Sequence, residues 1–513
     1  MSLCKKKTGG FDRLNHRGVI SMKFFIDQHG CAKNQTDGEL IAGFLMERGY
    51  EFTLNADEAD FILINSCGFI QSAKKESIDA VYDIKKAYPK AKLVLTGCLA
   101  ERYADTLIEQ MPELDGVFGN GDLSKIADFM DGIKKQRGAE TFAQKGVCGG
   151  ARPVLFNFPG SAFVKITEGC SNHCSFCAIP LIRGELRSRR ESEILTEIRR
   201  LVKDGVYEIN LIGQDLAAYG TDTKTSLAEL LTKITALKGD FVVRPLYIHP
   251  DHFTDDIIEA IKAGEGRLLP YFDIPFQSGD DAIIKAMNRT GSFKKYTALV
   301  KKIRSSLPSA VLRTTFLTGF PGETDEAAEN TAQFLQKISP DWSGCFPYSR
   351  EEDTPAYKMK NRVPARTARA RAERLEELQS AITAEHLSRN VGKELNVLIE
   401  EVVTAGQPAS QAVDGTSALS ADQSAGQLST QTITDNSANN EGLAIGRAWF
   451  QAPEVDGSVV IRYDLDDVTA VSAIVPGAVV TVKVLASTGV DLDSRFIKNY
   501  RKTSKKSERK FIF

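Results

Sequence analysis

Short apolar runs alternate with amphipathic segments through the first third of the chain. The strand-like runs cover residues 23–27, 61–65 and 92–96, and the helical patterns that follow them cover 36–48, 72–87 and a segment after 100. Strands that alternate with helices form parallel sheets covered by helices. The pattern therefore predicts a parallel α/β domain at the N-terminus.

The same alternation continues from residue 161 and predicts a second domain. Its strand-like runs cover residues 163–167, 208–213, 242–248, 271–275, 311–318 and 342–347. A closed eight-stranded barrel needs about 250 residues. Six βα units in a shorter stretch therefore predict an open, partial (βα)6 barrel, with its active site at the C-terminal ends of the strands.

A charged helix is predicted at 365–388. After it, apolar and polar residues alternate with the period of two that is typical of strands. Strand-like runs at 394–400, 444–450, 458–463 and 478–485 predict a small antiparallel β-barrel. Residues 404–440 are rich in Ser, Gln, Thr and Ala and contain no Lys or Arg. Such a segment buries too little surface to order itself, so we expect a disordered loop inserted in the barrel.

These changes divide the 513-residue chain into several domains, as its length suggests. The predicted segments are a flexible tail (1–21), the N-terminal domain (22–135), a linker (136–160), the partial barrel (161–388), the small barrel (389–500) and a basic tail (501–513). No run of eighteen apolar residues predicts a membrane span, and the N-terminus lacks the apolar region of a secretory signal. We therefore expect a cytoplasmic protein without a membrane partner.

Six of the nine cysteines fall into two groups of three. An odd number of cysteines clustered in motifs favours metal binding in a reducing compartment over a disulfide framework. Cys4, Cys148 and Cys345 lie outside these groups and are expected to be free thiols.

The first group, Cys170, Cys174 and Cys177, has C-x3-C-x2-C spacing and directly follows the first barrel strand. Three thiolates can hold three irons of a four-iron cluster and leave the fourth open for reaction. A structural zinc site needs four closed ligands, and His173, inside the loop, is poorly placed to be the fourth.

The second group, Cys31, Cys67 and Cys98, follows the three N-terminal strands one by one. Strand ends that precede helices lie on the same edge of a parallel sheet, so the three thiols should converge there. Glycines beside each cysteine let the backbone turn tightly around a bulky inorganic core. We predict a second metal cluster on this triad.

The loop motif, with Phe176 before its last cysteine, resembles the radical S-adenosylmethionine superfamily. The N-terminal triad narrows the resemblance to the methylthiotransferases, through the stretches at 30–39, 65–70, 76–79 and 96–100. The C-terminal strands resemble the small barrel called TRAM. The resemblance covers nearly the whole chain from Met22 and implies two 4Fe-4S clusters and S-adenosyl-L-methionine.

The resemblance also suggests residues that line the S-adenosylmethionine pocket at the strand ends. The candidates are Phe176, Gln214, Asp215, Gln277, Ser278 and Gly319. Those that follow a strand could instead serve as ordinary cap or turn residues. The segment from Arg183 to Arg190 is typical of a solvated basic stretch, although the family usually keeps it near the cluster loop.

Related methylthiotransferases modify either a tRNA adenosine or an aspartate of the small-subunit ribosomal protein at the decoding centre, protein twelve. Residues 390–498 carry fourteen acidic and six basic residues, a net charge of minus eight. A domain that binds RNA presents Lys and Arg side chains to the phosphates. The acidic barrel therefore favours a basic ribosomal protein as partner.

Four motifs also resemble those of the enzymes that modify the ribosomal protein, at 31–34, 67–70, 178–184 and 453–457. The motif Gln277-Ser278-Gly279, in contrast, is more usual in the enzymes that modify tRNA. We predict a methylthiotransferase acting on the aspartate β-carbon. A tRNA adenosine methylthiotransferase is the first alternative, and a non-enzymatic metal-binding ribosome-assembly factor is the second.

The resemblance implies that one S-adenosylmethionine donates the methyl group to a sulfur on the N-terminal cluster. A second is cleaved at the cluster of Cys170, Cys174 and Cys177, and the resulting radical removes a hydrogen from the aspartate. The sequence shows no flavin or nicotinamide motif, so we expect an external electron donor, such as flavodoxin or ferredoxin, and a sulfur source.

Overall fold

The computed structural model describes residues 21–142, 149–403 and 440–500. The predictions for the N-terminal tail up to residue 20, the insertion from 404 to 439 and the basic tail lie outside these residues. Cys4 and Cys148 lie outside them as well. Within the described residues, no helix combines the length and the apolar character that crossing a membrane requires.

The N-terminal domain is a parallel six-stranded sheet in the order β2-β1-β3-β4-β5-β6. Its strands are β1 (Lys23–Gln28), β2 (Glu51–Phe52), β3 (Phe61–Ser66), β4 (Lys92–Thr96), β5 (Gly116–Phe118) and β6 (Gly138–Glu140), and its helices are α1 (Ala32–Arg48), α2 (Gln71–Ala87), α3 (Gly97–Gln110) and α4 (Ile126–Ile133). Every residue of β3 is buried. A strand covered on both faces is apolar along its whole length, which explains why the sequence displayed it as a continuous run.

The sequence pattern missed β2, β5 and β6, which have only two or three residues each. Runs this short carry no detectable period, and tertiary pairing alone defines them. β6 pairs with β5 inside the range that the sequence assigned to a linker. α1 also begins earlier than expected, because Cys31 occupies its N-cap position.

The central domain has eight strands, and the six of them that are parallel confirm the partial (βα)6 barrel. Its strands are β7 (Ser161–Lys165), β8 (Thr167–Glu168), β9 (Arg187–Ser188), β10 (Glu208–Ile212), β11 (Val242–Pro245), β12 (Tyr271–Asp273), β13 (Val311–Thr318) and β14 (Trp342–Pro347); its helices are α5 (Ile179–Arg183), α6 (Glu191–Lys203), α7 (Leu227–Thr235), α8 (Asp255–Ala263), α9 (Asp281–Ala286), α10 (Phe293–Ser306), α11 (Asp325–Ile338) and α12 (Ala365–Ser388). The order is β7-β10-β11 followed by β12-β13-β14. The Leu269 N–H donates to the Val243 carbonyl at 2.8 Å and joins the two halves. The short strands β8 and β9 form an antiparallel pair that brackets the cysteine loop.

The C-terminal domain is a closed five-stranded barrel in the order β15-β16-β17-β19-β18. Its elements are β15 (Glu394–Val403), β16 (Glu441–Ala448), β17 (Val459–Asp464), α13 (Val468–Ala473), β18 (Val479–Ser487) and β19 (Leu492–Asn499). The predicted antiparallel barrel is correct for every pair except β17 with β19, which is parallel. Directions cannot alternate all the way around a closed ring with an odd number of strands. The fifth strand, β19, was not visible in the sequence pattern.

Buried ion pairs and hydrogen bonds join the domains. Arg447 of β16 donates from Nη2 to Glu208 of β10 at 2.8 Å, and both side chains are almost fully buried. Trp342 Nε1 donates to the Phe450 carbonyl at 2.9 Å. Removing one member of a buried ion pair costs about 3–5 kcal/mol. The small barrel is therefore anchored to the central domain.

Candidate metal centres at the mouth of the partial barrel

The three N-terminal cysteines converge at the edge of the sheet, as their places in the sequence predicted. Cys31 caps α1, Cys67 directly follows β3, and Cys98 is the second residue of α3. A Cβ built on Gly30 would lie 3.1 Å from Cys67 Cβ and 3.5 Å from its Sγ. A Cβ on Gly68 would lie 2.8 Å from the Cys98 carbonyl oxygen. The segments that carry the thiols are therefore in direct contact.

Gly97 shows why this edge needs glycine. Its φ is +89°, in the left-handed region, and a Cβ there would lie 2.4 Å from the Ser66 carbonyl oxygen. Any side chain would both strain the backbone and push β3 away from α3. The glycine thus allows Cys98 to approach the other two thiols.

The surroundings of these three thiols raise the pKa of two of them and lower the pKa of the third. Burial raises the pKa values of Cys67 and Cys98 above their ordinary range. Desolvation acts in the same direction at Cys31, but the charges of Lys33 and Arg183 and the backbone N–H groups at the start of α1 lower its pKa overall. Metal ligands must be deprotonated. A bound cation would supply the stabilisation that the two raised thiols lack.

The second triad lies in the loop between β8 and α5. The Cys170 N–H donates to the Gly184 carbonyl at 3.0 Å, and the Ser175 N–H donates to the Met287 carbonyl at 3.1 Å. Burial raises the pKa of Cys170 to about 11 and that of Cys177 to about 12. These backbone bonds hold the loop in place at the C-terminal end of the first barrel strand.

The histidine beside the second triad is His249, which sequence reasoning missed. Its Nε2 lies 3.8 Å from Cys174 Sγ. His173 is exposed at φ +50°, and its carbonyl accepts from Asn288 Nδ2 at 2.9 Å. The only sequence signal for His249 was its position shortly after the third barrel strand.

Asp215 connects the cysteine loop to the histidine segment. Its Oδ2 accepts from Asn172 Nδ2 at 2.9 Å and lies 2.6 Å from His252 Nδ1. Its Oδ1 accepts the His249 backbone N–H at 3.2 Å. Burial alone would raise the pKa of Asp215, but these partners, and His252 first among them, lower it. The carboxylate therefore supports the cysteine loop directly.

Arg183 lies between the two triads. Its guanidinium is 3% exposed and donates to Cys98 Sγ at 3.0 Å, to Asp37 Oδ2 at 2.8 Å and to Glu168 Oε1 at 2.9 Å. Ala178 and Ile182, which follow Cys177, pack on Cys98. The two triads therefore meet across α5.

The expectation of a solvated basic stretch at 183–190 is wrong for Arg183 and Arg189, which are both buried. Lys165 completes the charge network around Arg183 through ion pairs with Asp37 and Glu168. Burial would raise the pKa of Glu168, but Arg183 and Lys165 hold it well below its usual range. A lysine inside the apolar run of β7 was the available sign of a buried ion pair.

Three polar atoms at the barrel mouth have no hydrogen-bond partner among the described residues, although they are buried. They are Thr167 Oγ1, Gln214 Oε1 and Gln277 Oε1, which follow β7, β10 and β12. Gln277 also has a φ of +70°. Buried polar groups are normally satisfied, so these oxygens are available to a polar ligand that enters the mouth.

Phe176 lies at the same mouth. It packs against the cluster that contains Met287 and Phe320, and its ring centroid lies 5.9 Å from the Arg289 guanidinium carbon. Phe176, Gln214 and Gln277 are thus the predicted pocket residues that the fold leaves available to a cofactor.

Ser278 and Gly319 are engaged in packing. Ser278 Oγ lies 3.2 Å from Thr331 Oγ1 and accepts the Asp280 N–H at 3.1 Å, before α9 begins. A Cβ on Gly319 would lie 2.2 Å from Ala368 Cβ, so this glycine permits the close approach of α12. Their predicted contact with the cofactor stays a prediction.

Cys345 lies apart from both triads. It is a buried free thiol in β14, with its Sγ 3.7 Å from Ser343 Oγ.

Three family models match this chain in sequence order. Residues 23–119 match Uncharacterized protein family UPF0004, residues 164–335 match the Radical SAM superfamily, and residues 426–497 match the TRAM domain. The three matches correspond to the three folded parts of the structure.

Relatives match the chain over almost its full length. The ribosomal protein uS12 methylthiotransferase RimO of Treponema denticola is 47% identical over 498 residues, covering 91% of this chain and 99% of the relative. The RimO proteins of a Thermoanaerobacter species and of Thermotoga maritima are 39% and 37% identical, and they cover 87% and 86% of this chain and 93% and 94% of their own lengths.

Among solved structures, the radical S-adenosylmethionine methyltransferase TsrM from Kitasatospora setae, with cobalamin and a 4Fe-4S cluster bound, matches with a TM-score of 0.50. It is 13% identical, and the match covers 66% of this chain and 77% of TsrM. At this level of identity the match supports the fold alone.

Proposed function

Because the chain belongs to the RimO family of radical S-adenosylmethionine methylthiotransferases, we propose that it adds a methylthio group to the β-carbon of an aspartate in ribosomal protein uS12. The assignment to this family rests on 47% identity to the Treponema denticola protein over nearly the whole chain. The observation that carries the proposal is structural: two cysteine triads meet across α5 at the mouth of a partial barrel. One triad alone would fit many radical enzymes, whereas two facing triads fit the joint use of a carbon radical and a stored sulfur.

The residues present fit two clusters and S-adenosylmethionine. Cys170, Cys174 and Cys177 would hold one 4Fe-4S cluster, and Cys31, Cys67 and Cys98 would hold the other. When bound, these groups supply the methyl group, the sulfur and the one-electron chemistry that breaks an unactivated C–H bond.

The protein contributes placement and charge to this chemistry. Gln214 and Gln277 offer unpartnered oxygens at the barrel mouth for the polar groups of S-adenosylmethionine. Arg183 places a positive charge beside Cys98, which offsets the negative charge of cysteine thiolates around a cluster. Asp215 keeps the cysteine loop in position through Asn172.

The small barrel offers an acidic surface for a basic ribosomal protein. Some of its acids are used internally, as Glu400 is with Arg447. Asp464, Asp466 and Asp467, however, are exposed where β17 ends. Complementary charge speeds encounter and excludes wrong partners. Flavodoxin or ferredoxin would supply the electrons from outside the chain, and a separate source would supply the sulfur. The reducing cytoplasm is the compartment that suits clusters held by cysteine thiolates.

Mass spectrometry of intact uS12 tests the proposal. We expect uS12 from cells that express the gene to be heavier by one methylthio group in place of one hydrogen, and the added mass to disappear on deletion. Complementation with a Cys174→Ala variant should fail, and the matched Cys345→Ala variant should restore the mass. An unchanged uS12 mass in the presence of the wild-type gene would refute the substrate, and tRNA adenosines from the same cells would then be examined.

A further inference from the structure

Lys33 extends from the N-terminal domain over the mouth of the central barrel. It is the second residue of α1, two positions after Cys31. Its Nζ lies 3.2 Å from the centroid of the Tyr247 ring, and the Tyr247 N–H donates to Asp273 Oδ2 at 3.0 Å. Tyr247 follows β11 and Asp273 ends β12. The ammonium thus lies beside one triad and above the strand ends where a barrel of this kind places its active site.

Among the described residues, Lys33 makes no close ion pair, although the charges of Cys31 and Asp273 act on its ammonium. Within the described ranges, no carboxylate oxygen lies within 4.0 Å of its Nζ, although the side chain is partly buried. By contrast, the buried Lys165 contacts two carboxylates, and the partly buried Lys74 contacts Glu351 at 2.8 Å. A contact with one aromatic face is worth about 0.5–2 kcal/mol. It occupies one side of the ammonium and leaves hydrogen-bond donors for an anionic ligand.

The position of Tyr247 indicates that this contact is built into the fold. Its φ is +62°, a conformation that a bulky residue adopts at a cost of about 1–3 kcal/mol. Such strain persists where surrounding contacts impose it, and it concentrates at ligand sites. His173 and Gln277, at the same mouth, also have positive φ. The strained backbone holds the Tyr247 ring under the Lys33 ammonium.

We propose that Lys33 binds the side-chain carboxylate of the target aspartate and thereby holds its β-carbon between the two cysteine triads. This inference rests on the proposed function, because it takes the substrate to be an aspartate. The carboxylate is bonded directly to the β-carbon, so an ion pair at Lys33 fixes the carbon that reacts. An asparagine at the same place would lack the charge that the ammonium attracts.

A double-mutant cycle on binding tests this pairing. The holoenzyme and its Lys33→Met variant are titrated with a fluorescent uS12 peptide that carries the target aspartate, and with the same peptide carrying asparagine. We expect wild type to bind the aspartate peptide at least about tenfold more tightly, as for a charge-assisted pair. Lys33→Met should lose this preference, and Lys33→Arg should restore part of it. The Lys134→Met variant removes a lysine that lies 4.5 Å from the Tyr50 ring, away from the triads, and should bind like wild type.

Equal weakening of both peptides by Lys33→Met, or no weakening at all, would overturn the inference. A second measurement separates it from a role in cluster assembly. The variant should keep the wild-type iron content and still form 5′-deoxyadenosine, while fewer methylthio groups are transferred for each one formed. Loss of iron from Lys33→Met would assign the lysine to the cluster and reject the substrate contact. If the mass of intact uS12 is the same in cells with and without the wild-type gene, the proposed function itself is wrong.

Discussion

Arg183 is the residue on which the meeting of the two triads most clearly depends. Replacing it with methionine keeps much of its length but removes the guanidinium that contacts Cys98, Asp37 and Glu168. The two carboxylates would then share Lys165 as their remaining cation in the described network. A buried carboxylate that loses its partner is left without adequate stabilisation.

Breaking a buried ion pair by removing one member costs about 3–5 kcal/mol. With a denaturant slope of about 2 kcal/mol per molar urea, this lowers the midpoint by about 1.5–2.5 M. Arg48→Met is the matched control, because Arg48 also pairs with two carboxylates, Asp128 and Asp131, while its side chain is 50% exposed. An exposed pair contributes about 1 kcal/mol or less, so the control should shift the midpoint by no more than about 0.5 M.

The assay is urea unfolding of cluster-free protein, followed by circular dichroism. Because a chain with several domains does not unfold in one step, the variants are compared with wild type at the same transition. The reasoning would be refuted if Arg183→Met moved the midpoint no further than Arg48→Met does. Arg183→Lys should lie between wild type and Arg183→Met, since it keeps the charge and loses the forked geometry.

Two further measurements address the clusters and the pH dependence of stability. Cys98→Ala should lower the iron content of reconstituted protein from about eight to about four per chain, whereas Cys345→Ala should leave it unchanged; equal iron in both variants would contradict a cluster on the N-terminal triad. Glu454 has its pKa raised from 4.5 to about 7, first by burial and then by Glu400 and Glu39, against the opposing charge of Arg447. The folded state therefore binds the proton of Glu454 more tightly than the unfolded state does. The resulting stabilisation is fully present below pH 4.5, and the free energy of unfolding falls by about 3 kcal/mol as the pH rises to about 7. Glu454→Gln should unfold like wild type at pH 4 and at higher urea than wild type at pH 8, and parallel pH profiles of the two proteins would contradict this.

The sequence was sufficient where the decisive information is local. The C-x3-C-x2-C spacing places three thiols in one loop whatever surrounds it, and continuous apolar runs such as β3 identify strands buried on both faces. The convergence of Cys31, Cys67 and Cys98 was also predictable, because parallel strands that precede helices end on one edge of the sheet.

Tertiary structure decided which charges are buried and what they contact. Arg183 belongs to a stretch that looked solvated, yet it lies between the triads, because α1 brings Asp37 and α3 brings Cys98 onto it. Lys33 and Tyr247 come from different domains and meet only when these dock. Likewise, β2, β5 and β6 exist through pairing with their neighbours rather than through any pattern of their own. The period of apolar residues in the sequence shows which face of a helix or strand is buried. The partners of a buried charge, however, are residues distant in the chain, and only the folded structure brings them together.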